Sequence, residues 1–233
     1  MELVRVDTQR AYEIIWEKIT TLALAPGTPI NEQQLAEELE MGVVPVREAI
    51  RLLAHENLVE ITPRHGLYVA DVNVEDLEYI SEIRLSLEAL CARLAAQRAA
   101  PDDLVVLEAL RQEQASLSAD VSSAGDDPAQ LAEASRRLFD LDHRFHRTLA
   151  HAARNKYLAQ TLERLFGLSR RLWYLALPHM GYLPAAVGEH LQLIEAIEAG
   201  DADRASRIMH DHVEAFYAKV HETLVAQGQE EGE

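Results

Sequence analysis

Apolar positions Tyr12, Ile15, Ile19 and Leu22 recur at steps of three and four between Thr8 and Leu24, which predicts an amphipathic helix closed by Ala25-Pro26-Gly27. Asn31 with Gln34 three residues on has the form of a capping box, and Leu35, Ala36 and Leu39 give a short second helix its inward face. A third helix is predicted from Pro45, whose missing N–H is harmless in a first turn, through Val46, Ala49, Ile50, Leu52 and Leu53. Asn57 ends it, because asparagine tolerates the left-handed backbone of a helix C-terminus. Leu58 to Ile61 and Leu67 to Ala70 are β-prone runs on either side of Thr62-Pro63-Arg64-His65-Gly66, which reads as a hairpin turning on a glycine.

From Asp76 onward the period changes to helical throughout. Predicted helices cover Asp76 to Ala99, Asp102 to Leu117, Pro128 to Ala153, Lys156 to Leu175, Pro184 to Ala199 and Asp201 to Leu224. Breaks are expected at Ala100-Pro101, Ser122 to Asp127, Pro178 to Gly181 and Gly200. The predicted fold is therefore mainly α: an N-terminal winged helix-turn-helix, three helices plus a β-hairpin, followed by an all-α antiparallel helical bundle. Residues 1–73 form the first domain, 74–226 the second, and 227–233 a disordered tail.

Composition narrows what such a chain can do. Its 233 residues are 48% apolar and 26% charged, enough for one large or two modest cores. No apolar run approaches the roughly 18 residues that span a bilayer, and MELVRVDTQR lacks a secretory apolar stretch, so a cytoplasmic protein with no membrane partner is expected. A single cysteine, Cys91, excludes an internal disulfide and a multi-cysteine zinc site, leaving His and carboxylates as metal ligands. With 22 basic and 39 acidic side chains the net charge is −17, so any DNA must be bound locally.

The local surface is on the third helix. Arg47 and Arg51 lie one turn apart on a face distinct from Ile50 and Leu53, placed to meet phosphates or base edges, and Arg64 and His65 sit at the hairpin tip. The alternative is an ordinary solvated pair. Residues 1–74 carry six basic against twelve acidic side chains, so binding should be modest, salt-dependent and in need of a dimer. Val43 and Val44 are candidates to touch thymine methyls.

Polar residues on apolar helix stripes are the second signal. Leu138, Leu141, Phe145 and Leu149 share their stripe with Asp142 and His146, an i,i+4 pair. Val187, His190, Leu191, Ile194 and Ile197 form another stripe, and Ala205, Ile208, Met209, His212 and Phe216 a third. Three helices thus aim Asp142, His146, His190 and His212 at one interior, where a divalent metal would satisfy neutral imidazoles and an ionised carboxylate. Hydrogen-bonded core histidines are the alternative. His143, His151, His179, His210 and His221 read as surface residues.

These residues also carry a resemblance. Pro26-Gly27, Leu35-Ala36, Pro45-Val46-Arg47-Glu48-Ala49, Leu58-Val59 and Gly66 with Val69, in that order, resemble the winged-helix signature of the GntR family of bacterial transcription regulators. The resemblance implies that Arg47 and Arg51 contact DNA and that Gly66 serves the wing turn. Where the family usually has Ser-Arg-Thr before Pro-Val-Arg this chain has Gly42, Val43 and Val44, and His65 stands where the wing commonly has an arginine before its glycine. Asp142-x-x-Phe145-His146, Asn155, Glu189-His190, Ala196-Ile197, Gly200-Asp201, and Ala205 with Met209 and His212 resemble the FCD ligand-binding domain of the FadR-like subfamily. Many members hold a metal through one Asp and three His, which implies that role for Asp142, His146, His190 and His212. The family's arginine and glutamate in the first bundle helix match Arg84 and Glu88, which implies that Arg84 receives a carboxylate effector; an ordinary helix-surface ion pair is the other reading.

The expected protein is a homodimeric repressor of double-stranded operator DNA, controlled by a small organic acid at a metal-containing pocket, with Zn first and Ni, Co or Mn also admissible. It is not expected to be an enzyme. The alternatives are a metal-dependent hydrolase-like enzyme, which would leave the winged helix unexplained, and a direct metal sensor.

Overall fold

A computed structural model describes residues 2–63, 66–123, 128–180 and 185–230. Among them nine helices and three strands run in the order α1 (Glu2–Thr20), β1 (Pro29–Ile30), α2 (Glu32–Glu38), α3 (Val43–His55), β2 (Val59–Thr62), β3 (Gly66–Val69), α4 (Asp76–Arg98), α5 (Pro101–Ser123), α6 (Pro128–Ala152), α7 (Lys156–Met180), α8 (Ala185–Glu198) and α9 (Ala202–Glu230). The chain divides into two units, Met1–Asp76 with Phe166–Tyr174, and Leu77–Leu165 with Leu175–Glu233. The middle of α7 thus belongs with the first unit, an addition the sequence does not signal.

The first unit is built as the winged-helix pattern predicts, with local differences. α1 ends at Thr20 rather than Leu24, where Thr21 Oγ1 donates back to the Glu17 carbonyl and Leu22 turns the backbone at φ +62°. Asn31 caps α2 by accepting from the Gln33 and Gln34 N–H groups, but the Gln34 side chain reaches forward to Glu38, so only half of a capping box forms. α3 begins at Val43, two residues before Pro45, and ends as expected: Asn57 takes φ +63° while the Leu58 N–H bonds to the Leu53 carbonyl. β1, absent from the sequence reading, pairs antiparallel with β3 through Pro29↔Tyr68 and Ile30↔Leu67, giving sheet order β1-β3-β2. Ile15 and Ile19 of α1, Leu35 of α2, Val46, Ile50 and Leu53 of α3 and Val69 of β3 are buried in one cluster. Each such side chain contributes about 1.5–3 kcal/mol on burial. From α7, Phe166 stacks on Trp16 with ring centroids 6.5 Å apart, and Arg170 bonds to Glu17 and Thr20.

The described residues of the second unit form helices joined by short turns. α5 packs on α6 and α8, and α8 on α9. Buried Leu107 and Leu110, Leu141, Phe145 and Leu149, Leu193 and Ile197, and Met209 and Val220 supply the inward faces. Leu191, expected on the α8 stripe, is instead 40% exposed. α7 carries its backbone through Pro178 to Met180, where a break was expected; a proline in the last turn removes one intrahelical hydrogen bond and leaves the others in place. α9 continues to Glu230, into the stretch expected to be disordered, because nothing from Gln227 to Glu230 breaks a helix outright; residues 231–233 lie outside the described residues.

Candidate functional site

On α3, the buried face is Val46, Ala49, Ile50 and Leu53, which leaves Val44, Arg47, Glu48 and Arg51 along the opposite side. Val44 is 59% exposed near the helix N-terminus. Both arginines already hold carboxylates. Arg47 meets Glu32 of α2 through Nε and Nη2, at 2.9 and 2.8 Å, and Arg51 meets Glu48 at 2.6 Å. Gly66 opens β3 opposite Thr62 at φ +113°, a conformation that L side chains rarely adopt, so a glycine is required there. Arg64 and His65, expected at the wing tip, lie outside the described residues.

In the second unit, Asp142 and His146 of α6, His190 of α8 and His212 of α9 converge. One ligand atom from each lies within 4.8 Å of all the others. His146 Nε2 is 3.3 Å from His212 Nε2, His190 Nε2 is 3.4 Å from Asp142 Oδ1, and His146 Nε2 is 3.7 Å from Asp142 Oδ2. The three imidazoles are almost wholly buried while Asp142 keeps partial exposure.

What the other ring nitrogens do gives the cluster its chemistry. His146 Nδ1 faces Glu88 Oε2 at 3.3 Å, His190 Nδ1 faces Gln114 Oε1 at 2.9 Å, and His212 Nδ1 faces Glu189 Oε2 at 2.6 Å. An oxygen acceptor at each Nδ1 favours the tautomer with its proton there, which turns the Nε2 lone pairs inward. His190 Nε2 is buried with no hydrogen-bond partner, an expensive state unless a cation is its partner. Phe145 stacks on the His190 ring at a centroid distance of 3.9 Å and fixes its plane. Ligand type, count and separation, together with this outer layer, suit a borderline divalent cation.

The cluster's own charges set the protonation of its rings. Burial, reinforced by His212 and His146, keeps the His190 pKa well below the ordinary imidazole value. Burial opposes charge on His146 too, but Glu88 and Asp142 outweigh it and raise its pKa. Despite burial, His146 and Arg84 hold Glu88 down to about 2.

Arg84 is not a helix-surface ion pair. It is buried, its Nη2 donates to Glu88 Oε1 at 2.6 Å and its Nη1 to the Tyr217 hydroxyl at 3.1 Å. Because the other Glu88 oxygen faces His146, a polar chain runs from Tyr217 through Arg84 and Glu88 to the cluster. Gln114 and Glu189 were missed as supporting residues. Gln114 had a signal, since it interrupts the buried stripe Leu107, Leu110, Leu117 of α5; Glu189 had only its place beside His190. Among the other histidines, His143 is not a surface residue: it is 14% exposed beside Glu163 of α7. The side chain of His179 lies outside the described residues.

The first unit is a winged helix that exposes two carboxylate-paired arginines on α3, and the second is a helical unit with a buried His/Asp cluster. Residues 7–69 match the gntR family of bacterial regulatory proteins and residues 79–215 match the FCD domain, and the chain belongs to this GntR/FCD family of DNA-binding transcriptional regulators rather than to any enzyme class. It is 28% identical over 213 residues to the HTH-type transcriptional repressor RspR of Escherichia coli K12, covering 91% of this chain and 88% of RspR. It is 30% identical over 219 residues to an HTH-type transcriptional regulator in an unstable DNA locus of Streptomyces ambofaciens, covering 91% and 84% of the two chains. In fold it is similar to E. coli McbR/YncC, with a TM-score of 0.74, 23% identity and coverage of 93% and 97%. No helix among the described residues is long and apolar enough to cross a membrane.

Proposed function

We propose that this chain is a cytoplasmic, homodimeric repressor whose affinity for operator DNA is set by a small organic acid bound at a divalent metal held by Asp142, His146, His190 and His212. The observation that carries the reading is the orientation of the three imidazoles, each with Nδ1 on an outer oxygen and Nε2 turned toward Asp142 and the other rings. A divalent ion there would supply a positive centre with coordination places open to oxygen ligands. Zinc suits three nitrogens and one carboxylate best, and Ni, Co or Mn remain admissible according to geometry and supply.

The chain's own groups do the rest. Asp142, the partly exposed member of the set, is where an incoming ligand would reach the ion. Arg84 is the buried cation available to balance an effector carboxylate, which it must share with Glu88. On the DNA side, Arg47, Arg51, Arg64, His65 and Gly66 form the contact set, the first two in the major groove and the last three at the wing. Effector binding changes operator affinity only by as much as it favours one conformation over the other; about 1–3 kcal/mol gives a 5- to 150-fold response.

Gel shifts across a salt series test this, using DNA flanking the gene, intact protein and Arg47→Ala and His190→Ala variants, with and without chelation and candidate organic acids. Arg47→Ala should weaken specific binding by about 1–3 kcal/mol. His190→Ala should retain DNA binding and lose the effector response. Metal-dependent DNA binding that ignores every organic acid would replace this reading with that of a metal sensor.

A further inference from the structure

The guanidinium of Arg47 is gripped along one edge. Nε and Nη2, the side edge, both point at Glu32 Oε2, at 2.9 and 2.8 Å. Glu32 stands in the first turn of α2, and Asn31 fixes that turn by accepting from the next two backbone N–H groups. What remains for another partner is the end edge of the guanidinium, formed by Nη1 and the outer hydrogen of Nη2. Arg51, one turn further on, differs: its contact to Glu48 runs through Nη1 alone, and it is the more exposed of the two.

This grip has two effects on how an arginine meets DNA. Pairing with a carboxylate cancels much of its charge, which weakens any contribution to phosphate attraction, the part of binding that ignores sequence. Fixing the side edge also orients the end edge, and an oriented pair of N–H donors matches guanine O6 and N7 in the major groove. The surrounding unit is itself acidic, with twelve acidic to six basic side chains in residues 1–74, so little non-specific attraction competes with such a reader.

We infer that Glu32 is a positioning residue for sequence readout, making Arg47 a guanine reader rather than a phosphate clamp and so setting discrimination at one base pair of each half-site. This rests on the reading of α3 as the groove-entering helix.

The test uses the full chain, a duplex pool with a randomised segment sequenced after selection, and a fixed unselected duplex titrated by fluorescence anisotropy across a salt series. Glu32→Gln should bind the unselected duplex about 3- to 10-fold more tightly, with a salt slope steeper by about 1, and should lose one guanine from the selected motif. Arg47→Lys, which keeps the charge but not the paired donors, should lose the same guanine. Glu32→Asp should restore it in part. Unchanged thermal melting of each variant separates these outcomes from misfolding. The same motif selected by Glu32→Gln and wild type, or an equal loss of affinity for all DNA with no change in slope, would overturn the inference. An Arg47→Ala variant that selects the wild-type motif would instead remove the reading of α3 on which it rests.

Discussion

His146 Nε2 and His212 Nε2 face each other at 3.3 Å while the Nδ1 of each ring rests against a glutamate, Glu88 for the first and Glu189 for the second. Two neutral imidazoles with Nδ1 protonated cannot hydrogen-bond to each other through Nε2. A proton on one Nε2, or a cation between the two, would relieve the repulsion of their lone pairs.

If a metal occupies this place, stripping it should lower the melting temperature. Ligand present at 100 times its dissociation constant stabilises by about 2.7 kcal/mol, which is several degrees for a domain of this size. Thermal scans of chelated protein, followed by return of Zn, Ni, Co or Mn singly, measure the effect and rank the ions. Identical melting of verified metal-free and reloaded protein would remove the metal from the account.

The outer oxygens should matter almost as much as the ligands. Glu189 holds the His212 ring through Nδ1, and its own pKa is lowered by that hydrogen bond despite partial burial. Glu189→Gln and Gln114→Leu remove no ligand, yet each should weaken metal affinity about 10- to 100-fold. Competition against a chromogenic chelator gives the number. An affinity equal to wild type in both variants would mean that the rings orient themselves without help.

A separate group of charges sets a pH dependence. Glu163 of α7 is partly buried, which acts to raise its pKa, but His143 beside it and then Arg147 and His151 outweigh the burial and lower it. A carboxylate with a lowered folded-state pKa adds stability that is fully present above its unfolded value of about 4.5 and is lost as the pH falls through the folded value. Urea midpoints of wild type and Glu163→Gln should therefore differ at neutral pH and converge in acid. A gap that widens below pH 4.5 would reverse the assignment.

Much of this was legible in the chain because two periodicities were clean. The 3.6-residue stripes located α3 and α6 to within a few residues, and the same stripes made Asp142, His146, His190 and His212 conspicuous as polar groups among Leu141, Phe145, Ile194 and Met209. What depends on distant pairing was not legible. β1 is two residues long and exists through its partner β3, and Pro29 gives no strand signal of its own. Glu32 and Arg47 are fifteen positions apart on different helices, and no local spacing announces a pair. For Arg84 the sequence left two readings open, an effector-binding arginine and a helix-surface ion pair with Glu88, because an i,i+4 Arg/Glu pair serves either; the packing of Tyr217, from the other end of the unit's sequence, shows it buried and removes the second.

The middle of α7 was the other hidden feature, and Gly167 is its most sensitive point. A Cβ added there would sit 2.9 Å from Trp16 Nε1, closer than real side chains approach, and the indole is itself packed against Phe166 and under the Arg170 guanidinium. Relief would require moving the ring away from both neighbours. Gly167→Ala should thus destabilise the first unit by about 1–3 kcal/mol, even though alanine is the better helix former by about 1 kcal/mol. Shrinking the ring with Trp16→Phe in the same chain should recover part of that loss, because the clash involves the far side of the indole. Denaturant melts of the single and double variants measure the coupling. A Gly167→Ala protein at least as stable as wild type would show that the helix propensity outweighs the contact and that α1 and α7 are less tightly fitted than these distances imply.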